Sequence, residues 1–598
     1  MREATNSAGP QAEPEATQTT AETKPKQSSR RTFIGRVGAA AGVAAAALAG
    51  PKPAAAQSTT SSASGTSTAI PASVTNGRIL AATQLRISEA VSDALAGPAV
   101  NVNNGDTALY ADKGGTYTKA LPHDAFGRVN LAAFQAFTTA LSSGKFSDFE
   151  KIPVGGTRTL NGPQGGLAYD LEAKDNVQFG QPQVPPAPKT ASDQNATELL
   201  EHYWAALLRD VAFTDYPTSA LATAAATELG AQPTYLGPRN GSGQVTPNLL
   251  FRGTFPGETL GPYVSQFLLQ PCFLGSQPIE QQQVTHLPNI DYGTDFTTWL
   301  DIQNGVDTGL RNQIDPQYRY RRSGRDLAAL THVDVLFQEY FVAFLVLGGI
   351  NANPQGSFSG GGAPLNPGNP YNNSKTENGF GTLGGPDIAG TLCEVATKAL
   401  NAVWYQKWYV HLRPRPEAIG GIAQLIKSGQ SKETDVKLSN VILNSQGIQQ
   451  TFNKYGTWLL PLAFPEGSPA HPAYPTGHGT VAGACITVLK FFFDGTFVVP
   501  DPVVSTDDGL SLVAYTGSDA GQLTVNGELN KLGHNVTFGH GIHAGIHWRS
   551  DSDTSMLLGE AVALSFLADR AKTYNEPFTV KIQKFDGTTA TISNAGNP

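Results

Sequence analysis

Sulfur is scarce in this sequence, which has three cysteines and two methionines among 598 residues. Cys272, Cys393 and Cys485 are far apart and odd in number, so the chain has no disulfide framework. Each lies in an apolar stretch, which predicts a small buried side chain. One disulfide remains compatible with the sequence if the protein reaches an oxidising compartment.

The chain also lacks an excess of positive charge and, beyond its N-terminus, any long apolar run. Its formal net charge is −8; residues 1–56 contribute a balance of +3, so the remainder carries −11. A nucleic-acid-binding protein needs a basic surface, so this charge argues against that class but allows a local basic pocket. No later segment has the ~18 consecutive apolar residues of a membrane span. We therefore expect no membrane span in the mature chain.

The N-terminus has the three parts of an export signal. Residues 29–36 read Ser-Arg-Arg-Thr-Phe-Ile-Gly-Arg, an apolar stretch follows, and three alanines before Gln57 offer a cleavage site. Paired arginines are typical of a twin-arginine signal, a route that carries folded proteins. We expect residues 1–56 to be this signal, residues 57–75 a flexible lead-in, and the mature protein to be periplasmic or extracellular. The alternative is a disordered, Ala-rich tail.

Helical periodicity dominates the rest of the chain, and strand-like alternation is weak. The expected helices are Asn195–Arg209, Thr331–Leu347, Asp387–Lys407, Gly479–Phe493 and Thr554–Thr573. A Gly/Pro/Asn-rich stretch at 353–386 interrupts them, and Phe578–Ile592 is expected to form a small hairpin. We predict a mainly α fold of helical bundles with long irregular loops. Residues 76–330 would form an N-terminal helical region and residues 331–598 a C-terminal one.

A first cluster of chemical interest lies where a predicted helix meets a Pro-rich segment, from Lys407 to Glu417. The residue before a proline avoids the helical region, so the chain becomes extended there, and Lys407 and Arg415 can reach into a cleft. A guanidinium fork and an ammonium group suit an oxyanion. Taken alone, the cluster favours a solvated basic turn, since exposed Lys and Arg are common.

A second cluster, from Glu466 to Thr480, leads into an apolar helix. Unpaired backbone N–H groups at a helix start favour an anion, and the Thr476 hydroxyl can add a donor. His478 can donate or accept a proton near neutral pH. The alternative role for Thr476 is to cap the helix, and the two roles are compatible.

A third cluster places His540, His543 and His547 within eight residues. In a helix, His543 and His547 would share a face, a spacing that also permits a zinc pair. The Glu of the zinc-protease motif does not follow His543. Asp551 comes one turn after His547 and could orient its ring. The alternative is a set of surface or core histidines.

Together the three clusters resemble the vanadium-dependent haloperoxidases, which share their fold and site with the type 2 phosphatidic-acid phosphatases. Three family motifs are met, by Lys407 with Arg415-Pro416, by Thr476-Gly477-His478, and by His547 with Asp551. The likeness is greatest to the algal bromoperoxidase branch and spans roughly residues 195–570. The segments that carry it are Leu200–Val211, Arg325–Leu347, Ile388–Glu417, Leu459–Phe493 and Leu523–Glu560.

The resemblance implies a vanadate cofactor and oxidation of bromide or iodide by hydrogen peroxide to hypohalous acid, which then halogenates an organic acceptor. It implies a bond from His547 to vanadium, with Asp551 orienting the ring. His478 would be the acid/base, and Lys407 would polarise the peroxide. The residues that would hold vanadate are Lys407, Arg415, Thr476, Gly477, His478 and His547.

Two further histidines match family positions. The resemblance places His471 near the halide and leaves the role of His411 open, while a loop-packing role is the alternative for His471. Relatives in this branch form dimers or larger assemblies, so a homo-oligomer is expected.

One departure from the family lies before His547. The family has an Arg six residues earlier, where this chain has Gly541, and the segment ending at His547 is one residue longer. His540, His543 or Arg549 could replace that cation. Three alternative functions stay open: a soluble phosphatase with His547 as nucleophile, a degenerate non-catalytic oxyanion-binding protein, and a zinc hydrolase using the three clustered histidines.

Overall fold

Helices carry most of the structure, a computed structural model that describes residues 72–171, 174–175, 177, 184–349 and 362–594. The α-helices in chain order are α1 (Ala72–Ala96), α2 (Asp106–Leu109), α3 (Leu131–Ser143), α4 (Phe146–Phe149), α5 (Asp193–Leu208), α6 (Ala220–Gly230), α7 (Phe296–Asn304), α8 (Gly324–His332), α9 (Gln338–Gly349), α10 (Gly385–Tyr405), α11 (Pro416–Lys427), α12 (Asn440–Leu443), α13 (Gln446–Tyr455), α14 (Gly477–Phe492), α15 (Val525–Phe538) and α16 (Arg549–Ala571). The mainly α fold predicted from the sequence is confirmed.

Two π-helical turns extend the C-terminal ends of α10 and α15. The first π-turn, Gln406–His411, continues α10, and the second π-turn, Gly539–His543, continues α15. Such turns place one more residue in a helical turn than an α-helix does, and they are frequent at functional sites.

Strands occur in the described residues as three antiparallel hairpins. They pair β1 (Cys272–Leu274) with β2 (Gln277–Ile279), β3 (Val503–Ser505) with β4 (Leu512–Ala514), and β5 (Thr579–Gln583) with β6 (Thr589–Ser593). The last pair is the terminal hairpin expected from the sequence.

The centre of the helical packing is α14, which is apolar on every side and is enclosed by α10, α15 and α16. A helix with this composition needs a buried position. Glycines allow α14 and α16 to approach closely: a Cβ added at Gly483 would lie 2.0 Å from the Met556 carbonyl oxygen. The Thr476 N–H donates to the Asp551 carbonyl at 3.3 Å, so the N-termini of the two helices adjoin.

Most of the predicted helices lie within a few residues of the observed ones. The predicted segments 195–209, 387–407 and 479–493 correspond to α5, α10 and α14. The helix α16 begins at Arg549, five residues before its predicted start at Thr554. The earlier start arises because the Asp551 carboxylate accepts the Trp548 N–H at 3.0 Å and caps the first turn.

The single helix predicted for Thr331–Leu347 is wrong. The helices α8 and α9 are separate, and residues 333–337 between them are not helical. Inside this break the Asp334 carboxylate lies 3.1 Å from Nε2 of His478, the second residue of α14. Hydrophobic periodicity does not depend on a tertiary polar contact of this kind, so the periodic pattern alone predicts an unbroken helix here.

Residue ranges alone relate the predicted regions to the described chain. Residues 73–598 form one compact unit, and the boundary predicted after residue 330 falls within α8. The export signal predicted for residues 1–56 lies outside the described residues, and α1 already begins at Ala72.

Two sequence expectations concern the described chain as a whole. The three cysteines are free thiols, so no disulfide forms between them. Within the described ranges, none of the helices combines the length and apolar character needed to cross a bilayer.

Candidate active site

Residues from all three clusters converge on one buried site. The ring centres of His471 and His540 lie 6.2 and 5.6 Å from that of His547, and His478 stacks on His540 at 3.8 Å. Nη2 of Arg415 lies 3.0 Å from Nδ1 of His471. The sequence clusters, which are up to about 130 residues apart, therefore form a single constellation.

His547 is held with one ring nitrogen available. Its Nδ1 lies 3.0 Å from Oδ2 of Asp551, so this nitrogen carries the proton and donates it to the carboxylate. The other carboxylate oxygen accepts from Nη1 of Arg413 at 2.7 Å. Nε2 of His547 is buried and has no hydrogen-bond partner among the described residues. The lone pair on Nε2 of His547 is thus held in a fixed direction and is available to bind a ligand.

Lys407 and Arg415 bring two buried cations to the site. Lys407 lies in the first π-turn and donates to two main-chain carbonyls at 2.8 and 2.9 Å. Arg415 is the residue before α11 and donates to two others at 2.9 and 2.8 Å. Neither forms an ion pair with a carboxylate in the described part of the chain, so both charges are available to an anion.

The electrostatics of the site favour a negatively charged ligand. Burial lowers the pKa of Lys407 well below its usual value, and the charge of Arg415 lowers it further. Burial lowers the pKa of Arg415 itself to about 10. Burial and then these two cations lower the pKa of His547, which keeps its imidazole neutral. A bound oxyanion would offset this mutual repulsion.

The start of α14 contributes a hydroxyl and backbone donors. Thr476 is the N-cap, but its side chain makes no capping bond, so the capping role considered from the sequence is not observed. Its Oγ1 is fully buried without a partner. Gly477 is the first residue of the helix, where N–H groups lack helical acceptors. These groups match an oxyanion at a helix start.

His478 is paired with an acid that the sequence reasoning missed. Its Nε2 lies 3.1 and 3.2 Å from the two oxygens of Asp334, in the break between α8 and α9. A lone carboxylate in the apolar stretch His332–Phe337 was the available signal. This pairing leaves Nδ1 of His478 as the nitrogen that can accept a proton.

Both His540 and Gly541 adjoin His547, and the His540 ring lies 5.6 Å from the His547 ring. The second π-turn accommodates the extra residue noted in the sequence. It turns His540 into the site, where its ring is 8% exposed and its Nδ1 has no partner. A Cβ added at Gly541 would lie 3.2 Å from the Cβ of His547, which leaves little room for a longer side chain there.

His543 does not join the site, and the shared helix face considered for His543 and His547 is not observed. The helix ends in the second π-turn, and α16 begins only at Arg549. Nε2 of His543 lies 3.0 Å from the Tyr263 hydroxyl, on a different side of the turn. The zinc arrangement of three clustered histidines is therefore not favoured.

The two remaining histidines differ in position. His471 lies inside the site, 4.8 Å from the Trp404 ring and bonded to Arg415. His411 packs edge-on against Tyr474 at 4.8 Å, and both of its ring nitrogens are unpartnered. The structure records no contact between His411 and the clustered histidines His471, His478, His540 and His547, so His411 lies beside the site.

A cavity of about 400 Å³ leads to the site. His540 and Ile546 form its inner end, and its walls include Arg158, Phe464 and Glu466. Its size suits a small organic molecule. The arrangement defines a buried oxyanion site with an adjoining proton-transfer histidine and an open approach.

Comparisons with known proteins agree with this class of site. No family profile matches the chain. The vanadium-dependent bromoperoxidase of Ascophyllum nodosum is 36% identical over 510 residues, covering 82% of this chain and 88% of the relative. Those of Corallina pilulifera and Corallina officinalis are 32% identical, covering 88% of this chain and 100% of each relative.

A solved structure shows the same fold. The homohexameric structure of the second vanadate-dependent bromoperoxidase from Ascophyllum nodosum superposes with a TM-score of 0.80 at 30% identity. The match covers 92% of this chain and 95% of that one. The chain belongs to the vanadium-dependent bromoperoxidase family.

Proposed function

We propose that the protein is a vanadate-dependent haloperoxidase that oxidises bromide or iodide with hydrogen peroxide to hypohalous acid. The observation that carries the proposal is the buried, unpartnered Nε2 of His547, held by Asp551 beside two unpaired cations. An oxyanion with a metal centre would be bound by all of these groups, the His547 nitrogen at the metal and the cations at the oxygens. The hypohalous acid would then halogenate an organic acceptor that enters through the 400 Å³ cavity.

The residues present fit vanadate. His547 would ligate the metal through Nε2, and Lys407, Arg415 and the Thr476 hydroxyl would neutralise the oxygens. Gly477 adds a backbone N–H at the start of α14. Bound vanadate supplies a Lewis-acidic centre that activates hydrogen peroxide toward halide.

His540 supplies the donor that the family arginine provides elsewhere. Its ring lies between His478 and His547, and its Nδ1 has no other partner. A neutral imidazole donates one hydrogen bond, whereas a guanidinium donates several and carries charge. We therefore expect vanadate to be held, with lower affinity than an arginine would give, so the non-catalytic alternative is not favoured.

His478 performs the proton transfer. Its Nε2–H donates to Asp334, which fixes the ring and leaves Nδ1 to accept a proton from hydrogen peroxide. The same nitrogen returns that proton to the leaving oxygen when hypohalous acid forms. Asp334 also stabilises the imidazolium between these two events.

His471 and Trp404 form the wall next to this chemistry. Nδ1 of His471 accepts from Arg415 at 3.0 Å, and the Trp404 indole lies 4.8 Å from the imidazole between ring centres. A cation behind an apolar surface suits a large, polarizable anion. We infer that bromide or iodide approaches here.

The assembly and the location of the protein are part of the same proposal. The related structure is a homohexamer, which supports a homo-oligomer for this chain. The twin-arginine pattern within residues 1–56 supports export in the folded state to the periplasm or the exterior.

The experiment uses purified protein stripped of vanadate and then titrated with orthovanadate. Bromination of a phenolic dye by bromide and peroxide is measured, with hydrolysis of p-nitrophenyl phosphate alongside. We expect vanadate-dependent bromination in the wild type and none in His547→Ala. The control His123→Ala should keep wild-type activity, because His123 bonds to Thr118 at 3.0 Å and does not line the cavity that leads to the site. Phosphate release without bromination would replace the proposal with a phosphatase, and silence in both assays would leave an oxyanion-binding protein.

A further inference from the structure

A second cavity, of about 350 Å³, lies apart from the one that leads to His547. Its walls come from the segments 213–217, 248–269, 321–322 and 504–519, and it shares no lining residue with the first cavity. Nothing in the proposed reaction uses it. Its volume is within the usual range of small-molecule sites.

The lining of this second cavity carries an excess of positive charge. Arg252, Arg321 and Arg322 line it, and Asp519 is the acid among its lining residues. Asp519 is already engaged, because it accepts from the Gly261 N–H at 2.7 Å and from the Tyr515 hydroxyl at 2.7 Å. Arg322 pairs with Asp326 at 3.3 Å, so the charges left without a carboxylate partner are those of Arg252 and Arg321.

Two of these guanidinium groups are bonded to main-chain oxygens. Arg252 donates to the carbonyls of Glu258 and Gly261 at 3.0 and 2.9 Å, and Arg321 donates to that of Leu268 at 2.9 Å. Neither has a carboxylate within ion-pair distance in the described part of the chain. A buried charge without a counterion is costly, so an anion from outside would stabilise both.

Three donors of the cavity lining are buried without any partner. They are Nε of Arg252, Nε of Arg321 and the hydroxyl of Tyr216. The Tyr216 and Arg321 side chains are 1% and 5% exposed, so water does not reach them freely. Buried polar groups of this kind are normally bonded, and leaving them without a partner is unfavourable. A ligand with acceptor oxygens would complete these bonds.

The remaining lining combines polar side chains, among them Thr214, Asn248 and Ser505, with a flat aromatic surface. The rings of Phe213 and Tyr263 stack at 3.7 Å with an interplanar angle of 11°, and Leu249 and Leu269 also line the cavity. Such a surface accommodates an aromatic ring better than a free phosphate or halide. The unpaired arginine donors and the aromatic surface together favour a ligand with an anionic group at one end and a planar apolar ring at the other.

We propose that this cavity binds a small aromatic carboxylate, at a site distinct from that of vanadate. The carboxylate oxygens bond to the unpartnered Nε–H groups of Arg252 and Arg321, which gives charge-assisted hydrogen bonds. The ring lies against the Phe213–Tyr263 pair. The Tyr263 hydroxyl also lies 3.0 Å from Nε2 of His543. Tyr263 would therefore contact both the ligand and the second π-turn, which carries His540.

Calorimetric titration tests the proposal on the whole protein saturated with orthovanadate, so that the vanadate site is blocked. Benzoate is the probe, and benzamide is its neutral isostere. We expect one benzoate per chain, bound at least about tenfold more tightly than benzamide, because benzamide lacks the negative charge that pairs with the guanidinium groups. Equal affinities, no binding, or benzoate binding that vanadate abolishes would overturn the proposal.

Variants locate the bound probe. Arg321→Gln removes a cavity cation, and Tyr216→Phe removes an unpartnered hydroxyl without changing shape, so the latter keeps its fold. Both should weaken benzoate binding severalfold or more. Arg319→Gln is the matched control, since Arg319 pairs with Asp315 and does not line the cavity. Benzoate affinity unchanged in Tyr216→Phe and Arg321→Gln would place the binding elsewhere and refute the assignment.

Discussion

Nδ1 of His547 lies 3.0 Å from Oδ2 of Asp551, while Oδ1 of the same carboxylate accepts from Arg413 at 2.7 Å. The carboxylate thus couples an imidazole to a buried guanidinium. This fixes both the tautomer and the orientation of His547, which presents Nε2 to the site. Groups that orient a metal ligand in this way contribute to metal affinity, because they fix the tautomer and the direction of the ligand ring.

Asp551→Asn should weaken vanadate binding by about 10- to 100-fold, because the amide no longer fixes the imidazole tautomer. Equilibrium dialysis with orthovanadate measures the effect, and circular dichroism checks the fold. Asp569→Asn, at the far end of α16, is the control and should bind as the wild type does. Wild-type affinity in Asp551→Asn would show that the pair does not orient the ligand.

Thr476→Val should weaken vanadate binding about three- to tenfold while leaving stability unchanged or slightly higher. The substitution removes a buried hydroxyl that has no protein partner, so only a contact with the ligand is lost. Thr487→Val on the same helix removes a hydroxyl that bonds to Gly483 at 2.7 Å and should leave vanadate affinity intact. Vanadate titration and thermal unfolding of both variants separate the two effects.

His534 should make the stability of the fold depend on alkaline pH. Burial alone would lower its pKa, but the carboxylates of Glu258 and Asp553 outweigh burial and raise the pKa to about 9. Because the folded pKa exceeds the unfolded value of about 6.5, this stabilisation is complete below pH 6.5 and is lost as pH rises through 9. Its size is on the order of 1–3 kcal/mol.

Denaturant unfolding at pH 6, 7.5 and 9 tests the role of His534. The wild type should lose free energy of unfolding over this range, and His534→Gln should start lower and lose less. Parallel pH profiles for the two proteins would contradict the assignment.

Gly483→Ala should destabilise the fold strongly, because the new Cβ would lie 2.0 Å from the Met556 carbonyl oxygen between α14 and α16. Overpacking at such a contact costs about 1–3 kcal/mol or more. Gly390→Ala, in α10, meets nothing within 4 Å and should be neutral or stabilising by up to about 1 kcal/mol. Thermal unfolding compares the two, and an equal melting temperature would contradict the close approach.

The sequence predicted those parts of the fold that follow from local pattern. The helices around α10 and α14 are long and periodic, and the terminal hairpin alternates, so each was placed within a few residues. The break after α8 was missed because it depends on Asp334 meeting His478, residues 144 positions apart. No periodicity within 331–347 encodes that contact.

The site was predictable wherever a motif lies in one segment. Lys407, Arg415 and the Thr476–His478 turn are brought together as expected. The sequence did not decide which residue replaces the family arginine at position 541. The answer depends on how the backbone accommodates a one-residue insertion. A π-turn absorbs it and exposes His540, and only the folded backbone reveals that register.

The scarcity of sulfur has a consequence for an enzyme that makes hypohalous acid, since thiols and thioethers are the side chains most readily oxidised. Cys272, Cys485 and Met556 are 4%, 0% and 0% exposed. Among the described residues, Cys393 is the sulfur with partial exposure. The protein thus offers its own product few targets, and we infer that it resists self-inactivation over many turnovers.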